Sequence, residues 1–129
     1  VFALLSDAEC NEGSTWEAVA FAAHQRLSNL TAIVDVNGQQ ALGRTSDVLD
    51  MSPLGQRWTG FGWEVEEVDG HDVEALVTAL RPAGKLPRAV LARTVAGKGV
   101  SCMEGQVAWH YWPMTADQYS QALAEIAAV

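Results

Sequence analysis

Hydrophobic and polar positions follow two rhythms along this chain. "VFALL" (Val1–Leu5) and "TAIVDV" (Thr31–Val36) are short, nearly continuous apolar runs and predict strands covered on both faces. "WEVEEV" (Trp63–Val68) alternates as a strand does, and "AVLART" (Ala89–Thr94) predicts a fourth. Between these runs the period becomes helical. Trp16, Val19, Ala20, Ala23 and Leu27 share one stripe, entered through Ser14-Thr15-Trp16-Glu17, whose S-x-x-E form is a capping box. Asn37-Gly38 marks a turn, Gln39–Ser52 reads as irregular and polar, and Pro53 opens a short helix through Trp58. Val73–Leu80 predicts an amphipathic helix closed by Pro82 and Gly84. Thr115-Ala116-Asp117-Gln118 is a second capping box, leading a stripe of Tyr119, Ala122, Leu123 and Ile126.

Strands alternating with helices predict an α/β fold, a mostly parallel sheet flanked by helices. Ligands of such sheets bind beyond the carboxyl ends of the strands. Those ends carry Asp7, Asn37, His71 and the Gly97-Lys98-Gly99 turn.

Length, charge and cysteine usage narrow the class. At 129 residues the chain is one domain, or part of one, with enough length for a real core. A formal charge of −8 leaves no basic stripe to neutralise phosphates and argues against a nucleic-acid partner. Cys10 and Cys102 lie far apart and read as reduced, small packing residues of a cytoplasmic protein. No apolar run has the length of a membrane span, and no basic-then-apolar signal is visible. A chain that opens directly on a core strand, without an initiator Met, is expected to be a fragment or to lack its beginning.

G-x-G-x-x-G, G-x-x-x-x-G-K-[ST], H-E-x-x-H and G-x-S-x-G are all absent, which leaves an oxygen-only set of candidates. Asp7 and Asn37 end two strands thirty positions apart (37 − 7), with one helix between them. A right-handed strand–helix–strand unit brings such ends together at one sheet edge. A carboxylate, a carboxamide and a backbone carbonyl suit Mg²⁺, whose shell is completed by water and phosphate oxygens. The alternative is an Asp that caps the next helix and an Asn that only makes a turn. Spacing alone leaves both open.

The stretches "SDAECNEGSTWEAVAFAAHQRLSNLTAIVDVNGQQ", "WTGFGWEVEEVDGHD", "RTVAGKGVSCMEGQVAWH" and "PMTADQY" resemble transketolases, in particular the amino-terminal subunit of split, two-chain members. The resemblance implies a thiamine diphosphate-binding fold, with residues 1–129 as the carboxyl-terminal portion of its diphosphate-binding domain. It also implies that Asp7, the Asn37 side chain and the Gln39 carbonyl ligate Mg²⁺, which clamps the cofactor's diphosphate. Ala8 and Glu9 belong to the same cofactor-binding segment, with N–H groups near Ala8 approaching the diphosphate. His110 would sit by the diphosphate and the substrate's reacting end, and Glu12 in a carboxylate network at a subunit interface. The implied reaction passes a two-carbon ketol unit between sugar phosphates. The implied partner is a pyrimidine-domain subunit, in a homodimer or heterotetramer, without which this chain is not expected to turn over.

One departure bears on the site. The family's G-D-G reads Ser6-Asp7-Ala8 here, and if the second glycine serves a positive φ, Ala8 costs stability or weakens binding. The alternatives are another thiamine diphosphate enzyme component, of 2-oxoacid dehydrogenase or 1-deoxyxylulose-phosphate synthase type, or an assembly subunit that has lost the cofactor. Among the remaining residues, His24 reads as a core or interface histidine and His71 as a helix cap or loop-ordering residue. Lys98 either offsets diphosphate charge or is simply solvated. Trp58, Trp63, Trp109 and Trp112 divide between core packing and a buried interface.

Overall fold

The computed structural model describes residues 1–81 and 84–128. Four strands form one sheet: β1 (Phe2–Ser6), β2 (Thr31–Val36), β5 (Glu64–Asp69) and β6 (Arg88–Arg93), in the order β1-β2-β6-β5. Every pairing in it is parallel, with Leu5 opposite Val34 and Val34 opposite Leu91. The helices are α1 (Gly13–His24), α2 (Thr45–Val48), α3 (Leu54–Gly60), α4 (Val73–Ala79) and α5 (Ala116–Ile126). A two-residue hairpin, β3 (Gln39–Gln40) with β4 (Gly43–Arg44), and α2 occupy the stretch expected to be irregular. The helix closure placed at Pro82 lies outside the described residues.

Right-handed crossovers explain the layering. The steps from β1 to β2 and from β2 to β5 run one way along the sheet, so α1 and α3 share a face. The step from β5 back to β6 reverses and sends α4 to the other face. The packing agrees: Val19 and Ala22 of α1 and Trp58 of α3 form one cluster with Ala32, Val34, Ala89 and Leu91 of the strands. Trp58 anchors it, edge-on to Trp63 at 4.9 Å and tilted against Trp16 at 5.7 Å. Burial of these rings contributes on the order of 2–3 kcal/mol each. Trp58 and Trp63 are therefore core residues, whereas Trp109 is half-buried and Trp112 exposed.

Five local expectations are corrected. β1 is an edge strand, and Phe2 and Leu4, on the face away from α1, are 63% and 74% exposed rather than covered. A 3₁₀ turn over Ala8–Asn11 runs straight into α1, making Glu12 the N-cap and placing Ser14 inside the first turn, where its capping box does not form. Along α1 it is Ala22, not Ala20, that is buried. His24 is exposed in the last turn and not a core residue. The Thr115–Gln118 box does form, with Thr115 accepting from Gln118 N and Gln118 accepting from Thr115 N. On α5 only Ala122 of the expected stripe is buried. Glu125 ties that helix to the loop after β6, accepting from Ser101 N at 2.6 Å and Ser101 Oγ at 2.7 Å.

Candidate functional site

The carboxyl ends of β1 and β2 meet at Asp7, beside the end of β6. Its backbone N–H donates to the Asp35 carbonyl of β2 at 3.0 Å, which pins the strand exit. Its Oδ2 accepts from Gly38 N at 2.8 Å, one residue beyond Asn37. The residue is only 6% exposed, and its second oxygen, Oδ1, is buried with no hydrogen-bond partner. Burial pushes the carboxyl above its ordinary range; the Gly38 and Ala8 N–H groups pull it down, and the nearby Asp35 charge pushes it further up. One oxygen of this anion, Oδ1, lacks a partner in the chain itself.

Asn37 lies half-buried at the end of β2, before Gly38 with φ +72°. Its Oδ1 accepts from Gln39 N at 2.8 Å, and its Nδ2 donates to Asp35 Oδ2 at 2.9 Å. Asp35 Oδ1 accepts in turn from Thr94 Oγ1, just past β6. Asp35 and Thr94 did not stand out by motif. Their signal in the sequence is a carboxylate at the interior of an otherwise apolar strand, which needs a partner wherever it is covered. The topology thus brings Asp7, Asn37 and Gln39 to one turn. A buried carboxylate oxygen without a partner, on a side chain held by the Gly38 N–H next to Asn37, suits a hard divalent cation. Among the described residues no group of three or more His, Cys, Asp or Glu is placed to hold a metal ion, so a cation here needs such a mixed oxygen set.

Beside this turn opens a cleft of about 230 Å³. Ser6, Ala8, Asn37 and Gln39 line one side, and Gly97, Met103, Gln106, Trp109 and His110 the other. Gly97 has φ +75°, and a Cβ there would meet Met103 Cβ at 2.6 Å and its backbone at 2.8 Å. Trp109 is fixed by donation from Nε1 to the Cys102 carbonyl at 2.7 Å. His110 ends the 3₁₀ turn Val107–His110, exposed at the rim and stacked on Tyr111 with centroids 5.0 Å apart.

The other candidates fall around this centre. Ala8 opens the 3₁₀ turn, and Arg26 is the one non-glycine with positive φ among the described residues, so Ala8 sits there without left-handed strain. Glu9 turns its carboxylate back, accepting from Ser6 N at 2.8 Å and Ser6 Oγ at 3.1 Å. Glu12 is exposed at the start of α1. His71 orders a loop: its Nε2 accepts from Val95 N at 2.8 Å, where the chain turns toward the cleft. Lys98 is exposed. Cys10 is buried and its thiol is pushed up to about 11, chiefly by burial, which makes it a packing residue.

Against known proteins, residues 1–126 match the family described as transketolase, thiamine diphosphate binding domain. The chain belongs to this family. It is 38% identical over 128 residues to one subunit of the apulose-4-phosphate transketolase of Phocaeicola vulgatus, covering 97% of this chain and 46% of that protein. It is 36% identical over 129 residues to the 6-deoxy-6-sulfo-D-fructose transketolase subunit SqwG of Clostridium sp., covering 98% and 47%. This transketolase-family chain therefore spans just under half the length of those subunits. Among solved structures, transketolase from Campylobacter jejuni superposes with a TM-score of 0.91 at 26% identity, covering 98% of this chain and 20% of that one. Transketolase from Leishmania mexicana gives 0.89, also at 26% identity, covering 98% and 19%.

Proposed function

We propose that this chain is the cofactor-binding part of a transketolase-type subunit that holds Mg²⁺ and thiamine diphosphate and works with a partner chain carrying the pyrimidine domain. The observation that carries the proposal is the buried, partnerless Oδ1 of Asp7, whose other oxygen is held by the Gly38 N–H next to Asn37, at the ends of adjacent parallel strands. Family membership supports it, as do relatives named as one subunit of a transketolase. On this reading residues 1–129 form the carboxyl-terminal portion of the diphosphate-binding domain.

When bound, thiamine diphosphate supplies the chemistry that moves a two-carbon ketol unit between sugar phosphates. The chain's own residues bind and orient. Asp7 and the Asn37 carboxamide hold the cation, with the Gln39 carbonyl as third protein ligand. The Ala8 N–H faces the diphosphate, and Glu9, by holding Ser6, keeps the 3₁₀ turn in place for it. His110 stands at the rim of the cleft to hydrogen-bond diphosphate or substrate. Glu12, exposed beyond the cleft, is left to meet the partner chain in a homodimer or heterotetramer. Two free thiols fit a reducing cytoplasm, and no helix among the described residues is long and apolar enough to cross a membrane.

Titration calorimetry of the full chain with thiamine diphosphate and Mg²⁺, in isolation and with its partner chain, tests this. Binding is expected in the complex. Asp7→Ala should weaken it by more than ~100-fold, beyond the range typical of outer-shell changes. Absence of binding in the complex contradicts the proposal and favours a subunit that has lost its cofactor.

A further inference from the structure

Asp35 touches two of the three candidate metal ligands, Asp7 and Asn37, in different ways. Its carbonyl accepts from Asp7 N at 3.0 Å, and its carboxylate accepts from Asn37 Nδ2 at 2.9 Å. The other carboxylate oxygen is held by Thr94 Oγ1, and Thr94 N donates to the Val36 carbonyl at 3.2 Å, so that donor is anchored to the same strand end. The orientation of the Asn37 carboxamide follows from chemistry. Its oxygen meets the Gln39 N–H at 2.8 Å and its NH₂ meets a carboxylate. A flipped amide would set oxygen against carboxylate and NH₂ against N–H, losing both bonds. An sp² oxygen that accepts one N–H keeps a second lone pair for a cation.

We propose that Asp35 is a positioning residue whose carboxylate, steadied by Thr94, locks the Asn37 side chain with its oxygen presented as a ligand. This rests on the proposal that Asn37 Oδ1 holds the cation. Without Asp35 nothing described in the structure distinguishes the two ends of the carboxamide beyond the single Gln39 contact, and the NH₂ end cannot bind a cation. The carboxylate acts as a hydrogen-bond acceptor. A neutral acceptor of the same shape should therefore serve: in Asp35→Asn, the new carbonyl oxygen accepts from Asn37 Nδ2 while its NH₂ donates to Thr94 Oγ1.

The test compares Asp35→Ala, Asp35→Asn and Thr94→Val in the full chain by two readouts. Nuclear magnetic resonance of the Asn37 side-chain NH₂, without metal, reports the hydrogen bond itself. Calorimetry with Mg²⁺ and thiamine diphosphate, in the complex with the partner chain, reports the consequence. Asp35→Ala should move the Asn37 resonances and weaken binding by 10–100-fold, as loss of an outer-shell partner of a metal ligand typically does. Asp35→Asn should recover most of that loss. Thr94→Val leaves the acceptor in place but unsteadied, so it should shift both readouts in the same direction by less, and it serves if Asp35→Ala does not fold. Unmoved Asn37 resonances in Asp35→Ala, or unchanged affinity, overturn the proposal. Asp35→Asn binding as weakly as Asp35→Ala also overturns it, since charge and not orientation would then be what matters. A parent protein that takes up no Mg²⁺ with thiamine diphosphate, while the Asn37 resonances still respond to Asp35→Ala, overturns the cofactor reading separately.

Discussion

At the scale of single residues, Asp7 carries a conflict between stability and binding. A buried carboxylate with one unpartnered oxygen is held above its ordinary range, so the folded chain binds that proton more tightly than the unfolded chain does. Stability therefore falls as pH rises from the ordinary carboxyl range through the raised value. Asp7→Asn removes that loss. Without divalent cation, the variant should melt above the parent at pH 7 by a few degrees, the shift that about 1 kcal/mol produces in a domain of this size. The advantage should shrink as the pH is lowered, and thermal melts across pH check it; an Asn variant less stable than the parent at pH 7 contradicts the assignment. Asp7 and Asn37 were legible in the sequence because polar residues ending apolar runs stand out. Asp35 could be marked by its charge inside an apolar strand, but its partner Thr94 could not, because pairing across fifty-nine positions (94 − 35) leaves no local trace of which residue answers it.

At the scale of elements, local chemistry succeeded where a motif's surroundings left it free. Thr115-x-x-Gln118 follows an extended segment and caps its helix, whereas Ser14-x-x-Glu17 follows a 3₁₀ turn that has already begun the helix by Gly13. Both stretches carry the capping-box form, and the preceding backbone decides which one caps. Strand existence was legible from apolar runs, but not that β1 lies at an edge, since edge position depends on the order of pairing. The Gln39–Arg44 hairpin was too short to leave a period. The loop after β6 carries the element-scale prediction. Gly97 combines φ +75° with backbone of Met103 where a Cβ would sit. Gly97→Ala should destabilise the chain by roughly 1–3 kcal/mol, displace the Met103 turn and weaken cofactor binding. An unchanged melting temperature together with unchanged affinity contradicts the role given to that turn.

At the scale of the whole molecule, the alternation of strands and helices was enough to foresee a parallel sheet and to direct the search for a candidate site to its carboxyl edge. Right-handed crossovers then account for which helix covers which face. What stays exposed is informative as well: Tyr111 and Trp112 beside His110 are apolar surface near the cleft, where a partner chain of the proposed complex would find contacts. The proposed function depends on one cation shared between two strand ends. The most direct measurement is diffraction from crystals of the full chain with its partner, thiamine diphosphate and Mn²⁺ in place of Mg²⁺, recorded at the manganese edge. A single anomalous peak within about 2.3 Å of an Asp7 carboxylate oxygen, of Asn37 Oδ1 and of the Gln39 carbonyl is the expected result. A bound ion that leaves either Asp7 or Asn37 beyond about 4 Å, outside any coordination sphere, would contradict it.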